Sequence, residues 1–218
     1  MANDISVIFL TVNKVPKKWA EFHKKTLLKA IGDTPLITIS KEPLDWGTNL
    51  IQKETPSMNN IYKQVLRGSE MASTEFIAIA EDDVLYHKSH FEFRPKEDEF
   101  IYDGHKWEML TWGKPFYYHK YRILNSGLIA PTKLVIKSLK RRFKRYPNAP
   151  IGELGKERKS GLNSYQVRNF WPEVGIVIFR HPNSLDPTEK RKTKRPGVVQ
   201  AYDIKYWGKA NKLRKEWK

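Results

Sequence analysis

Thr74-Glu75-Phe76-Ile77-Ala78-Ile79-Ala80-Glu81-Asp82-Asp83-Val84-Leu85-Tyr86 decides how the rest of the chain is read. Phe76 to Ala80 is a short apolar run, the signature of a buried strand. It stops at three consecutive carboxylates, and Val84, Leu85 and Tyr86 then restore apolar character. Three acids at the end of a buried strand repel one another and lose part of their hydration. A divalent cation relieves both penalties, because hard cations take oxygen ligands. The triplet is read as a metal or catalytic site, against the plainer reading of a solvated acidic turn.

Upstream, Ile5 to Asn13 is dense in β-branched and aromatic residues and reads as a buried first strand with Asn13 at its exit. Pro16 opens a helix in which Trp19, Phe22, Leu27, Leu28 and Ile31 recur at helical spacing, and Gly32 suits its C-cap. Pro35 to Ser40 is a second strand, and Leu44 to Pro56 reads as irregular. Ser57 caps a second helix running to about Ala72. Strand, helix, strand, helix, strand predicts an α/β domain with a mostly parallel sheet. Ligands in such sheets bind at the carboxyl ends of the strands, where Asn13 and the acidic triplet both fall.

Downstream, 91–95 and 100–102 read as short strands or edges, and 109–121 is rich in aromatics, with Trp112 among them. Asn125-Ser126-Gly127 interrupts an apolar stretch, Pro131-Thr132 starts a third helix, and 147–163 reads as a loop. Val174 to Phe179 is a late strand that ends in Arg180-His181.

The chain has 218 residues, 39% of them hydrophobic and 12% aromatic, enough for one domain with a core. It has no cysteine, which excludes disulfides, thiolate metal sites and a cysteine nucleophile. No signal peptide is read at the N-terminus, and no apolar run approaches the ~20 residues that span a bilayer. A cytoplasmic monomer is the expectation. Residues 1–112 hold 14 Lys/Arg and 17 Asp/Glu, a net of −3; residues 113–218 hold 26 and 7, a net of +19. That asymmetry points to a polyanionic partner, either nucleic acid or an anionic membrane.

The run from Asn59 to Tyr86 resembles the matching stretch of GT-A fold glycosyltransferases, small phage and bacterial members in particular: a helix, then Thr-Glu-aromatic, an acidic triplet and Val-Leu-Tyr. The segment Arg180-His181-Pro182-Asn183 is similar to a late element of that family. The resemblance implies a Rossmann-like mixed sheet in a single domain, with 1–112 as the nucleotide-sugar half and 113–218 as the acceptor half. It implies Mn²⁺ or Mg²⁺ held by Glu81, Asp83 and His181, with Glu81 standing where the family has its first Asp. It implies a nucleotide-sugar donor such as UDP-glucose, met by Thr11, Asn13, Asn60, Gln64, Asp82 and Asn183. A catalytic base in a Gly-containing loop is then Glu153, or in second place Glu157.

A nucleotide-sugar enzyme does not need a net of +19 in its acceptor half. Lys140, Arg141, Arg142, Lys144 and Arg145 form one cationic run, and Arg191, Lys192, Lys194 and Arg195 lie in another. The tail from Lys205 to Lys218 adds six cations interleaved with Trp207 and Trp217. Such runs suit phosphate contacts, and neighbouring aromatics suit stacking on an unpaired base. The expected acceptor is DNA carrying a 5-hydroxymethylpyrimidine, as phage DNA-glucosylating enzymes use, which would place the protein in a host cytoplasm. The alternatives are a cell-envelope acceptor reached at an anionic membrane, a non-catalytic nucleic-acid-binding protein, and a metal-dependent nuclease.

Overall fold

A computed structural model describes residues 4–119, 122–148, 152–156, 165–184 and 199–218. In chain order the elements are β1 (Ile5–Leu10), α1 (Lys17–Ile31), β2 (Leu36–Ser40), β3 (Thr48–Ile51), α2 (Met58–Met71), β4 (Phe76–Glu81) and β5 (Val84–Leu85). There follow β6 (Glu99–Asp103), β7 (Lys106–Leu110), β8 (Tyr117–His119), β9 (Leu128–Pro131) and α3 (Thr132–Arg145). The last are β10 (Gln166–Phe170), β11 (Ile176–Arg180), β12 (Gln200–Ala201), β13 (Asp203–Ile204), β14 (Gly208–Lys209) and α4 (Ala210–Leu213).

Seven strands form the main sheet in the order β10-β6-β9-β4-β1-β2-β3. β3, β2, β1 and β4 run parallel, β9 runs antiparallel to both β4 and β6, and β10 is parallel to β6. This is the expected mixed, mostly parallel α/β architecture. β1 and β4 are apolar along nearly their whole length because both faces are covered. On one face Tyr62 and Val65 of α2 and Leu134, Val135 and Leu139 of α3 join Ile8, Ile77 and Ile79 in one core cluster. On the other, Leu27 and Ile31 of α1 pack with Val7, Phe9 and Ala78. β9 and β10 come from beyond residue 112, so strands from both parts of the sequence share this sheet.

A second sheet, β12-β8-β7-β11-β5, positions the site. β5 follows the acidic turn directly and pairs antiparallel with β11, Ile178 opposite Val84. The amide of Phe179 donates to the carbonyl of Asp83 at 2.7 Å. That pairing carries the end of β11, and with it His181, to the end of β4.

Three local expectations change. Residues 48–51, read as irregular, form the exposed edge strand β3. Lys88–Glu92 is a 3-10 turn where a strand was expected over 91–95, its start capped by the His87 ring. The tail tryptophans, expected to be available for stacking on a base, are engaged by the fold: Trp217 is 8% exposed and packs with Trp19 and Phe179, and the Trp207 indole N–H donates to Gly175 O at 2.7 Å. Among the described residues, no helix is long and apolar enough to cross a membrane.

Candidate active site

A cleft of about 430 Å³ opens at the carboxyl ends of β1 and β4. Its walls include Thr11, Asn60, Gln64, Glu81, Asp82, Asp83, Glu153, His181 and Asn183, together with Arg122, Ser126 and Arg180. Nine of the eleven residues read as donor, metal or base contacts thus meet in one concavity, brought from separate segments of the chain. Glu157, Arg191, Lys192, Lys194 and Arg195 lie outside the described residues.

The acidic turn is fixed at every residue. The Tyr86 hydroxyl accepts from the amide of Glu81 at 3.1 Å and donates to Ser126 O at 2.9 Å. The Trp19 indole donates to Asp82 O at 2.7 Å, and the Thr11 hydroxyl donates to the Asp82 carboxylate. These contacts leave the carboxyl groups facing the cleft in a partly dehydrated setting. Burial first, then the charges of Asp83 and Asp82, push Glu81 up to about 8. Burial and the charge of Asp83 push Asp82 up to about 7, against the Thr11 hydrogen bond.

His181 Nε2 lies 3.7 Å from Asp83 Oδ2. Its ring rests on Trp217, centroids 4.9 Å apart, so the folded-back tail sets the orientation of the histidine. Asp83 and His181 offer one oxygen and one nitrogen donor; a hard cation such as Mn²⁺ or Mg²⁺ favours the carboxylate, and the crowded anions beside it suit such a cation. Among the described residues, no three His, Asp or Glu side chains converge on one metal position. The structure therefore brings together a pair of the expected ligands, with Glu81 on the wall of the same cleft.

Asn13 does not line the cleft. Its backbone takes φ 55°, a left-handed conformation Asn tolerates, and its Oδ1 accepts from the amides of Lys41 and Glu42 at 2.9 and 3.1 Å. It ties the end of β1 to the end of β2 and shapes the turn instead of facing a ligand. Asn60 is buried at the first turn of α2, its amide nitrogen donating to Gln52 Oε1 at 3.2 Å, while its Oδ1 has no hydrogen-bond partner. An unpartnered buried acceptor on a cleft wall is a candidate ligand contact.

Glu153 is held at the cleft by its neighbours. The Tyr62 hydroxyl sits 2.9 Å from both Gly152 O and Asn125 Oδ1, and its single proton serves one of them. Arg142 donates to Gly152 O at 3.0 Å, and Tyr102 OH donates to Leu154 O at 2.8 Å. Arg142 is the correction here. It is 4% exposed and lies over the Tyr62 ring at 5.1 Å, so it braces the loop and cannot face a polyanion. The other four cations of the run, Lys140, Arg141, Lys144 and Arg145, are exposed.

The sequence reading gave Arg180 no role and passed over Glu108. Arg180 lines the cleft, its Nη2 paired with the fully buried Glu108 at 2.7 Å, and its Nε has no partner. The signal was an acid inside the apolar β7 segment, Lys106-Trp107-Glu108-Met109-Leu110, which buries a charge only beside a counter-ion.

No protein-family model and no curated protein matches the chain. Solved structures match in fold. The 2-C-methyl-D-erythritol 4-phosphate cytidylyltransferase of Thermus thermophilus superposes with a TM-score of 0.53 at 13% identity, over 84% of this chain and 95% of that one. The inositol-1-phosphate CTP transferase of T. maritima gives 0.51 at 11% identity, over 81% and 89%. A glycosyltransferase involved in glycosylation of the major capsid of PBCV-1 gives 0.48 at 13% identity, over 80% and 92%, a score too low to argue from. The first two share the Rossmann-like mixed sheet of nucleotide-binding transferases, and the likeness is one of fold.

Proposed function

We propose that the protein is a glycosyltransferase that moves a sugar from a nucleotide-sugar donor, UDP-glucose or a similar UDP-sugar, to an acceptor hydroxyl. The acceptor we assign is a 5-hydroxymethylpyrimidine in DNA, a base that supplies the alcohol an unmodified pyrimidine lacks. The observation that carries this reading is the meeting of Asp83 and His181 beside Glu81 and Asp82 in one cleft walled by Thr11, Asn60, Gln64 and Asn183.

Mn²⁺ or Mg²⁺ held by Asp83 and His181 would offset the charge on the departing diphosphate as a Lewis acid. The remaining chemistry belongs to the side chains. Asn60, Gln64 and Asn183 offer neutral donors and acceptors to the donor substrate. Asp82, braced by Thr11, keeps the acidic turn in place. In an inverting transfer Glu153 is the base: it takes the proton of the acceptor hydroxyl as that oxygen bonds to the anomeric carbon and the carbon–oxygen bond to the diphosphate breaks.

Nucleotidyl transfer is the competing reading, since the cytidylyl and CTP transferases share the fold. One observation weighs against it. Many nucleotide sites wrap the phosphates in a glycine-rich turn at a strand end, where bare backbone amides approach them. Residues 11–16, between β1 and α1, contain no glycine.

The test is a transfer assay with Mn²⁺, a panel of UDP-sugars, and DNA with or without 5-hydroxymethylpyrimidines, digested to nucleosides and weighed by mass spectrometry. A hexose gain on the modified base alone, lost in Asp83→Ala, is the expected result. Metal-dependent UDP release without base modification moves the acceptor to an envelope polymer. Pyrophosphate release from a nucleoside triphosphate and a sugar 1-phosphate, with no UDP-sugar turnover, overturns glycosyl transfer in favour of nucleotidyl transfer. Salt-sensitive DNA binding with no turnover of any donor leaves a binding protein.

A further inference from the structure

The exposed side chains of α3 are Lys133, Lys137, Lys140, Arg141, Lys144 and Arg145, and nothing else. The helix contains no acid among its 14 residues. Other surface helices here are mixed: the exposed positions of α1 include Glu21, Ala20 and Leu28 beside its lysines. The α3 cations recur at helical spacing, so they form one stripe that extends about 18 Å at 1.5 Å per residue. One of them, Lys140, pairs with an acid on a neighbouring helix, Glu70 of α2, at 2.8 Å.

The stripe has a direction. Thr132 begins the helix at the far edge of the sheet, its amide on Glu75 O and its hydroxyl on Thr74 O, just before β4 starts. The cleft lies at the other end of β4. The last turn of α3 reaches that end: Arg142 donates to Gly152 O beside Glu153, and Asn59, next to the cleft residue Asn60, donates to Pro147 O at 2.9 Å. The cations therefore run from the back of the sheet to the mouth of the cleft.

We infer that this face of α3 is a docking track for the phosphate backbone of a polynucleotide, leading it to the cleft. The inference deepens the acceptor half of the proposed function and rests on it. The chemistry favours a phosphate chain over a lipid surface. A helix that lies on a membrane turns an apolar face outward to the acyl chains. Leu134, Val135 and Leu139 of α3 are all packed on the sheet, Ile136 and Phe143 are half-buried, and no apolar side chain of the helix is exposed for insertion. A row of cations at regular spacing matches a linear polyanion, and phosphate neutralisation gives affinity through counterion release without reading sequence.

The experiment measures binding of a fluorescent DNA duplex, and of the matching single strand, across a salt series. It compares wild type with a variant carrying Lys133→Gln, Lys137→Gln, Arg141→Gln and Lys144→Gln. The expected variant binds on the order of 100-fold more weakly near physiological salt, with the slope of log affinity against log salt shallower by about three to four. In the wild type, bound DNA protects Lys133 and Lys137 from chemical acetylation; this second reading decides the matter if the variant does not fold. Unchanged affinity and slope in a variant of native melting temperature overturn the inference. So does stronger binding to phosphatidylserine vesicles than to DNA, lost in the variant. UDP release by the wild type without nucleic acid tests sugar transfer separately, so a protein that turns over donor yet ignores DNA refutes the track alone.

Discussion

His181 Nε2 and Asp83 Oδ2 stand 3.7 Å apart because β11 pairs with β5, the two-residue strand that directly follows the acidic turn. If a cation sits there, removing either ligand removes its hold. Asp83→Ala and His181→Ala are each expected to lower metal-dependent donor turnover by roughly two to three orders of magnitude, the scale of Lewis-acid assistance. Both variants should also lose the rise in melting temperature that Mn²⁺ gives the wild type by binding the folded state alone. Asp83→Asn separates the two roles. Without metal it should melt higher than wild type, since the Asp83 charge is one of the causes that push Glu81 and Asp82 up. Thermal melts with and without Mn²⁺ check both outcomes, and an Asp83→Asn protein that Mn²⁺ still stabilises would sink the assignment.

The loop that presents Glu153 is held by hydroxyls that carry no chemistry of their own. Tyr62→Phe removes the contact to Gly152 O, and Tyr102→Phe removes the one to Leu154 O. Each should cost about 1 kcal/mol of stability. The sharper expectation is kinetic: both variants lower kcat for transfer to the acceptor while the KM for donor stays near wild type. Glu153→Gln should lower kcat further still. Steady-state kinetics with donor and acceptor varied separately read this directly, and a rise in donor KM alone would place the loop at the wrong end of the reaction.

The sequence was legible where one pattern acted alone. β1, α1, β2, α2 and β4 stand close to where periodicity and capping put them, and Ser57 accepts from the Asn60 amide as an N-cap should. Edge strands were not legible. Thr48–Ile51 and Gln166–Phe170 are short and polar because they border solvent, and their pairing is set by the strand beside them. Arg168 of β10 is held by Glu99 of β6, a contact no local pattern announces. The charge runs misled for a different reason. Arg142 continues the inward positions Val135 and Leu139 at helical spacing, so its buried placement was written in the periodicity of α3 and masked by the cations around it. Trp217 was read with its neighbouring lysines, whereas its packing on Trp19 depends on a fold-back that spans the whole chain.

Gly68 lies in the last turn of α2, inside a helix where glycine costs about 1 kcal/mol relative to alanine. Its reason is contact with the sheet. A Cβ there would lie 2.6 Å from Cγ2 of Ile8, a β-branched side chain with no exposed surface. Overpacking of this kind costs about 1–3 kcal/mol. Gly68→Ala should therefore destabilise despite the better helix former, and its cost should shrink in an Ile8→Ala background, which removes that Cγ2. Urea unfolding of the single and double variants measures both, and an Ala variant more stable than wild type would show that α2 can move off β1.

His23 gives the stability a pH dependence of known sign. It is buried in α1 and donates from Nε2 to Val84 O at 2.8 Å, and its ring lies by Phe9 and Trp19. Burial lowers it to about 4, against the opposing pull of Val84 O and the Asp83 charge. An unfolded histidine titrates near 6.5, so between about 6.5 and 4 the unfolded chain binds the extra proton. Its contribution is fully present above about pH 6.5 and is lost as pH falls through that window, by about 3 kcal/mol in all. Glu81 and Asp82 act in the opposite sense: their raised values favour the folded state at low pH and cease to do so as pH rises toward 7 and 8. Wild type alone therefore shows the sum. The difference between wild type and His23→Gln, which keeps a donor for Val84 O and cannot titrate, isolates the histidine. The variant should gain on wild type steadily from about pH 6.5 down to about 4 in urea-unfolding midpoints. A constant difference across that range would mean that His23 is protonated in the folded protein and that the turn around Val84 is more open than its packing indicates.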